Sequence, residues 1–98
     1  MGYTIWPDGP AGEIVEEIYR ERGRQNELKR AGKFAYTCAD KEMLQPERLA
    51  VLAEEFGEVA HEVNEGIGGR KVDIAKLRKE LIQVGAVCVA WVEALDKK

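Results

Sequence analysis

The chain has 98 residues, 34% of them charged, and a net charge of only −3. That length gives one domain, residues 1–98, whose core is modest for its surface, so self-association is an expected supplement. The interleaved charges argue against a nucleic-acid surface, and no apolar run is long and uninterrupted enough to span a bilayer.

Residues 1–9 read as an irregular lead-in, with Pro7, Asp8 and Gly9 as a turn signal and Tyr3, Ile5 and Trp6 available to pack on the rest. No basic stretch followed by an apolar one opens the chain, so a signal peptide is not expected. Cys38 and Cys88, far apart and without CxxC spacing, fit reduced thiols in a cytoplasmic protein. Cys88 sits among apolar residues and is expected in the core, whereas His61, with no Cys or second His nearby, is expected on the surface.

The spacing predicts three helices, at about residues 10–31, 46–66 and 73–95. In the first, Ile14, Val15 and Ile18 recur at helical spacing ahead of a strongly charged half, with Gly23 a soft point and Gly32 a C-cap. Residues 32–45 show no sustained period and read as a connection with room for a short helical turn. Pro46 suits the first helical position of the second helix, and Glu47 the positive end of its dipole.

The second helix carries two separate arcs. With Glu55 set at zero, Leu49, Leu52, Ala53, Phe56, Val59, Ala60 and Val63 fall between about 40° and 160°, and are expected to face the core. Glu54, Glu55, Glu58, Glu62 and Glu65 fall between about 260° and 360°. Carboxylates three and four residues apart repel one another, so either a bound cation or plain solvation lowers that cost. Gly66, Gly68 and Gly69 end the helix, Arg70 and Lys71 place positive charge in the loop, and Asp73 is an N-cap for the third helix.

From Leu81 to Val92 that third helix is apolar almost all round. Two other helices cannot cover every side of it, which predicts a second subunit, in a homodimer or homotetramer. Its one polar interruption is Gln83, on a stripe with Glu80, Val87 and Trp91. If helices two and three are antiparallel neighbours, Glu55 and Glu58 oppose Glu80 and Gln83. Three carboxylates and an amide oxygen suit Mg²⁺ or Mn²⁺, with waters and substrate phosphates completing the shell. Each residue has a plainer reading beside this one. Glu54, Glu62 and Glu65 suit a solvated face, Glu80 an ion pair with Arg78 or Lys79, and Trp91 a core position. Gln83 is the most informative, because burying it without a use costs about 1–3 kcal/mol.

Glu54-Glu55-x-x-Glu58, followed after Val59–Lys79 by Glu80-x-x-Gln83, resembles the EExxE…ExxD motif of the MazG-like all-α nucleoside triphosphate pyrophosphohydrolases. ERGRQ at Glu21–Gln25, LAEEFGEVAHEV at Leu52–Val63 and LRKELIQVGAVCVAWVEAL at Leu77–Leu95 are similar to small single-domain proteins of that family. The resemblance covers about Ile14–Leu95. It implies an all-α, MazG-like helical bundle completed by oligomerisation, and a Mg²⁺-dependent conversion of an NTP or dNTP to the monophosphate and pyrophosphate, of the kind that clears non-canonical nucleotides. Glu55, Glu58 and Glu80 are implied as metal ligands. Gln83 stands where the family has Asp, so the metal should bind more weakly; Glu62, one turn beyond Glu58, is a candidate for the missing charge.

On that reading Glu54 assists deprotonation of the attacking water. Lys79, Arg78, Arg20, Arg22, Arg24 and Lys33 are candidates to meet the phosphates, and Trp91 to lie against the base. Two other classes stay open, a nucleotide-binding regulator with weak or no catalysis, and a purely structural helical oligomer.

Overall fold

The computed structural model describes residues 9–67 and 71–97, so nearly all of the predicted lead-in, and Gly68, Gly69 and Arg70 of the second loop, lie outside the described residues. The elements are three helices, α1 Pro10–Arg30, α2 Gln45–Asn64 and α3 Ile74–Asp96, with no strand among the described residues. Local chemistry sets their ends. Pro10 occupies the first turn of α1, where a missing N–H leaves nothing unpaired. At its other end Gly32 takes φ +78°, the Lys33 N–H donates to Leu28 O at 2.8 Å and the Gly32 N–H to Lys29 O at 3.0 Å. This pair of bonds closes the helix as a Schellman motif, which needs the left-handed residue that glycine supplies. Gly23 does not interrupt α1, because no proline or competing side chain accompanies it.

In α2 the Glu47 carboxylate accepts the Leu44 N–H at 2.8 Å, and in α3 Asp73 accepts the Lys76 N–H at 3.1 Å. Glu47 therefore serves as a cap as well as a dipole partner.

Both α1 and α2 pack on α3 rather than on each other. Their directions follow from which residues meet. Glu17 reaches Arg78 and Arg22 reaches Glu93, so α1 runs parallel to α3; Gln45 reaches Trp91 and Glu55 reaches Gln83, so α2 runs antiparallel. Small residues let the helices come close. Ala86 and Ala90 are fully buried, and a Cβ placed on Gly85 would stand 2.9 Å from Ile18 Cδ1.

The connection at 31–44 forms no helix and crosses from α1 to α2 as a strap pinned by all three. Asp40 accepts from Lys29 Nζ of α1 at 2.7 Å and from the Thr37 N–H at 2.7 Å. Buried Arg48 of α2 donates to Cys38 O at 2.8 Å and to Asp40 O, while Lys97, just past α3, donates to Ala39 O. Desolvation opposes ionisation of Asp40, yet Lys29, the Thr37 N–H and Lys97 outweigh it and hold its carboxyl below the usual range. Cys38 and Ala39 are thereby set against Val87 and Ala90, with Met43, Val51 and Leu52 packed around them.

Of two expectations about burial, one holds in part and one fails. The apolar arc of α2 was to face the core: Leu52 packs against it and Val59 and Ala60 are half-buried, but Leu49, Ala53, Phe56 and Val63 are exposed, Phe56 to 65%. α3 meets α2 at the boundary of its arcs, against Val51, Leu52 and Glu55. Cys88, expected in the core, is exposed, and the buried thiol is Cys38. On α3 the exposed residues Ile74, Leu81, Cys88 and Leu95 recur every seven positions, as Leu49, Phe56 and Val63 do on α2. Periodicity marks a face as apolar; it does not say whether this chain covers it.

Candidate functional site

The α2–α3 contact gathers charge of one sign. Glu55, half-buried on α2, faces Gln83 and Glu80 of α3. With its NH2 inward, the orientation that sets donors against acceptors, the Gln83 amide donates to Glu55 Oε2 at 3.1 Å and to Glu80 Oε2 at 3.3 Å. Burial first, then the charges of Glu80, Glu54, Glu58 and Glu21, push the Glu55 carboxyl above its usual range. Neither Glu55 nor Glu80 is ion-paired among the described residues.

The predicted ligand set is gathered in part. Glu55, Glu80 and Gln83 converge, while Glu58 lies one turn on and exposed, and among the described residues no three His, Cys, Asp or Glu side chains form a group able to hold a metal ion. Two carboxylates and an amide oxygen nonetheless fit a hard cation in kind. Glu54 is exposed at the rim, and Glu62, the candidate spare charge, is not among the acids acting on Glu55.

Two clefts open beside this contact. One, of about 340 Å³, has an apolar wall of Phe34, Tyr36, Met43, Val51 and Val87, and is bordered by Glu54, Glu55 and Gln83. The other, of about 520 Å³, lies between α1 and α3 and carries Arg24, Arg78 and Lys79. They share Glu21, Arg24 and Gln83, so an aromatic compartment joins one of mixed charge, in which Glu17 and Glu21 stand among the three cations, beside the carboxylates. Arg24 is gripped by Glu21 through two bonds, at 2.8 and 2.6 Å, and Arg78 pairs with Glu17 at 2.7 Å.

Other candidates fall elsewhere. Trp91, expected against a base, donates its Nε1–H to Gln45 Oε1 at 2.7 Å and lines neither cleft, because its turn of α3 lies beside the start of α2. Arg22, expected to meet phosphates, is 6% exposed and bonded to Glu93 at 2.7 Å and to Gln25 at 3.0 Å. Arg20 pairs with Glu16 at 2.7 Å, Lys33 is exposed and lines neither cleft, and His61 is exposed as expected, 3.4 Å from Glu65. The aromatic residues of the site, Phe34 and Tyr36, come from the connection; two aromatics two residues apart, in a long linker without a period, were the available signal.

Comparison of the chain with models of known families, with curated proteins and with solved structures finds no match. Among the described residues no helix is long and apolar enough to cross a membrane.

Proposed function

We propose that this protein is a MazG-like, Mg²⁺-dependent nucleoside triphosphate pyrophosphohydrolase that converts an NTP or dNTP to the monophosphate and pyrophosphate. The observation that carries this is the joining, at Arg24 and Gln83 and beside Glu55, of an aromatic cleft to one that carries Arg24, Arg78 and Lys79 among two acids. A nucleotide has the same order of chemistry, a flat ring at one end and a polyanion at the other. Phe34 and Tyr36 offer the ring an apolar wall, Lys79 would meet the phosphates, and Arg24 and Arg78 would join it by exchanging Glu21 and Glu17 for phosphate oxygens.

Glu55, Glu80 and, with its oxygen inward, Gln83 would hold the cation, with Glu58 the nearest further carboxylate along α2. Mg²⁺, when bound, supplies neutralising charge for the triphosphate. Glu54, at the rim of the aromatic cleft, accepts the proton of the water that attacks phosphorus, and the bond between the α- and β-phosphates breaks. Expulsion of water from the cleft by the ring strengthens these charge interactions.

A second copy of the chain completes this reading. The exposed heptad stripes on α2 and α3 are large apolar surfaces of the type that monomers rarely leave open, and they support a homodimer or homotetramer. Light scattering should give two or four times 11.0 kDa, and a mass of 11.0 kDa alone would discard the oligomer.

A second reading has its own observation. The Gln83 amide links Glu55 and Glu80 without a cation, which favours a protein that binds nucleotide and turns it over weakly or not at all. A panel of canonical and modified NTPs with Mg²⁺ or Mn²⁺, assayed for pyrophosphate alongside equilibrium binding, separates the two. Release with at least one substrate supports the enzyme; binding without release selects the regulator; neither binding nor release discards both.

A further inference from the structure

A primary amide carries its donors on one side and its acceptor on the other. When the Gln83 nitrogen points inward it satisfies Glu55 Oε2 and Glu80 Oε2 together, at 3.1 and 3.3 Å. Only when the oxygen points inward can the same group ligate a cation. The two orientations exclude each other.

The surroundings make the inward NH2 consequential. Glu55 and Glu80 make no ion pair among the described residues, and Arg24, whose charge reaches Glu55, is already gripped by Glu21. Without the amide, two half-buried carboxylates from different helices would meet with no donor between them, a costly arrangement for like charges in a partly desolvated place.

We propose that Gln83 is an internal stand-in for the cation, holding the carboxylates of α2 and α3 together in the cation-free protein, so that a divalent ion enters only by displacing its NH2 through a half-turn of the amide. The device trades affinity for order. An acid at this position would attract a cation more strongly but leave the empty site open by repulsion, whereas Gln83 keeps α2 seated on α3 and makes the ion compete with two hydrogen bonds. This rests on the cation site proposed above, but not on its reaction.

The test compares Gln83→Glu, which keeps the size and reach of Gln and removes both donors, with Gln83→Leu, which removes the donors without adding charge. Thermal melting in chelator and Mn²⁺ binding, followed by electron paramagnetic resonance of the free ion, are measured with no nucleotide present. In chelator Gln83→Glu should melt about 4–8 °C below the unsubstituted protein, the scale of one net hydrogen-bond contribution in a domain of this size. It should also bind Mn²⁺ about tenfold more tightly or better, consistent with an added charged ligand. Gln83→Leu should melt lower as well, with no gain in Mn²⁺ affinity. If Gln83→Glu does not fold in chelator, recovery of its fold on adding Mn²⁺ supports the proposal, and no recovery overturns it. Mn²⁺ binding by Gln83→Glu no tighter than that of the unsubstituted protein, or unchanged melting in chelator, also overturns it. Failure to release pyrophosphate from any NTP bears on the reaction alone and leaves these readouts intact.

Discussion

The two contacts that α3 makes are built on opposite electrostatic plans. Against α1, buried Arg22 meets Glu93 at 2.7 Å and the Gln25 oxygen at 3.0 Å, so the buried charge is answered by its opposite. Against α2, the carboxylates of Glu55 and Glu80 meet with only the Gln83 amide between them, and Glu54, Glu58 and Glu21 add charge of the same sign. The first contact holds the fold together. The second stores repulsion that a bound cation would relieve, and for that reason we place the chemistry there.

Substitutions at each contact should therefore move stability and activity differently. The largest effect is expected for Glu55→Gln. Pyrophosphate release should fall by about 100-fold or more, as for loss of a ligand to the cation that would neutralise the triphosphate, while melting in chelator rises. The sign follows from the raised carboxyl of Glu55: the folded state binds that proton more readily than the unfolded chain, so stability is fullest at low pH and is lost as pH rises through the folded-state titration. A neutral amide removes this loss. A lower melting temperature at neutral pH would show that the α2–α3 contact is not strained by its charge.

At the matched contact the order reverses. Glu93→Ala leaves the Arg22 guanidinium buried without its charged partner, and should lower stability by about 1–3 kcal/mol in denaturant titrations, since Glu93 is itself half-exposed. The kcat of pyrophosphate release should be unchanged under folding conditions. The smallest effect is expected for Gly85→Ala. Alanine gains up to about 1 kcal/mol of helix propensity, but the new methyl would sit 2.9 Å from Ile18 Cδ1, a side-chain end that can move. The two effects nearly cancel, and adding Ile18→Val, which removes that methyl, should make the pair more stable than Ile18→Val alone. A non-additive gain in a double-mutant cycle reports the contact.

Much of the site was legible because it depends on spacing along a helix. Glu80 and Gln83 share a face by their three-residue separation, and Glu55 is brought opposite them once α2 returns antiparallel, so their convergence follows from local periodicity and one turn. Phe34 and Tyr36 were not legible in this way. They lie in a connection with no period, and their place on the cleft wall follows from Lys29 of α1, Arg48 of α2 and Lys97, just past α3, pinning residues 38–40.

The sequence by itself determined what each short segment can do with its own backbone: three helices ending within two residues of their expected bounds, the Gly32 and Asp73 caps, and the acidic and apolar arcs of α2. Those features rest on interactions within about four residues, which the sequence states directly. Only the tertiary structure decided that α3 meets α2 at the boundary between its arcs, that Arg22 is buried against Glu93 rather than free for phosphate, and that Trp91 binds Gln45 instead of lining the aromatic cleft. Each of those outcomes turns on how far one helix is rotated about its axis relative to another. A rotation of a single residue, about 100°, would exchange a ligand for a surface charge, and nothing local to either helix fixes it.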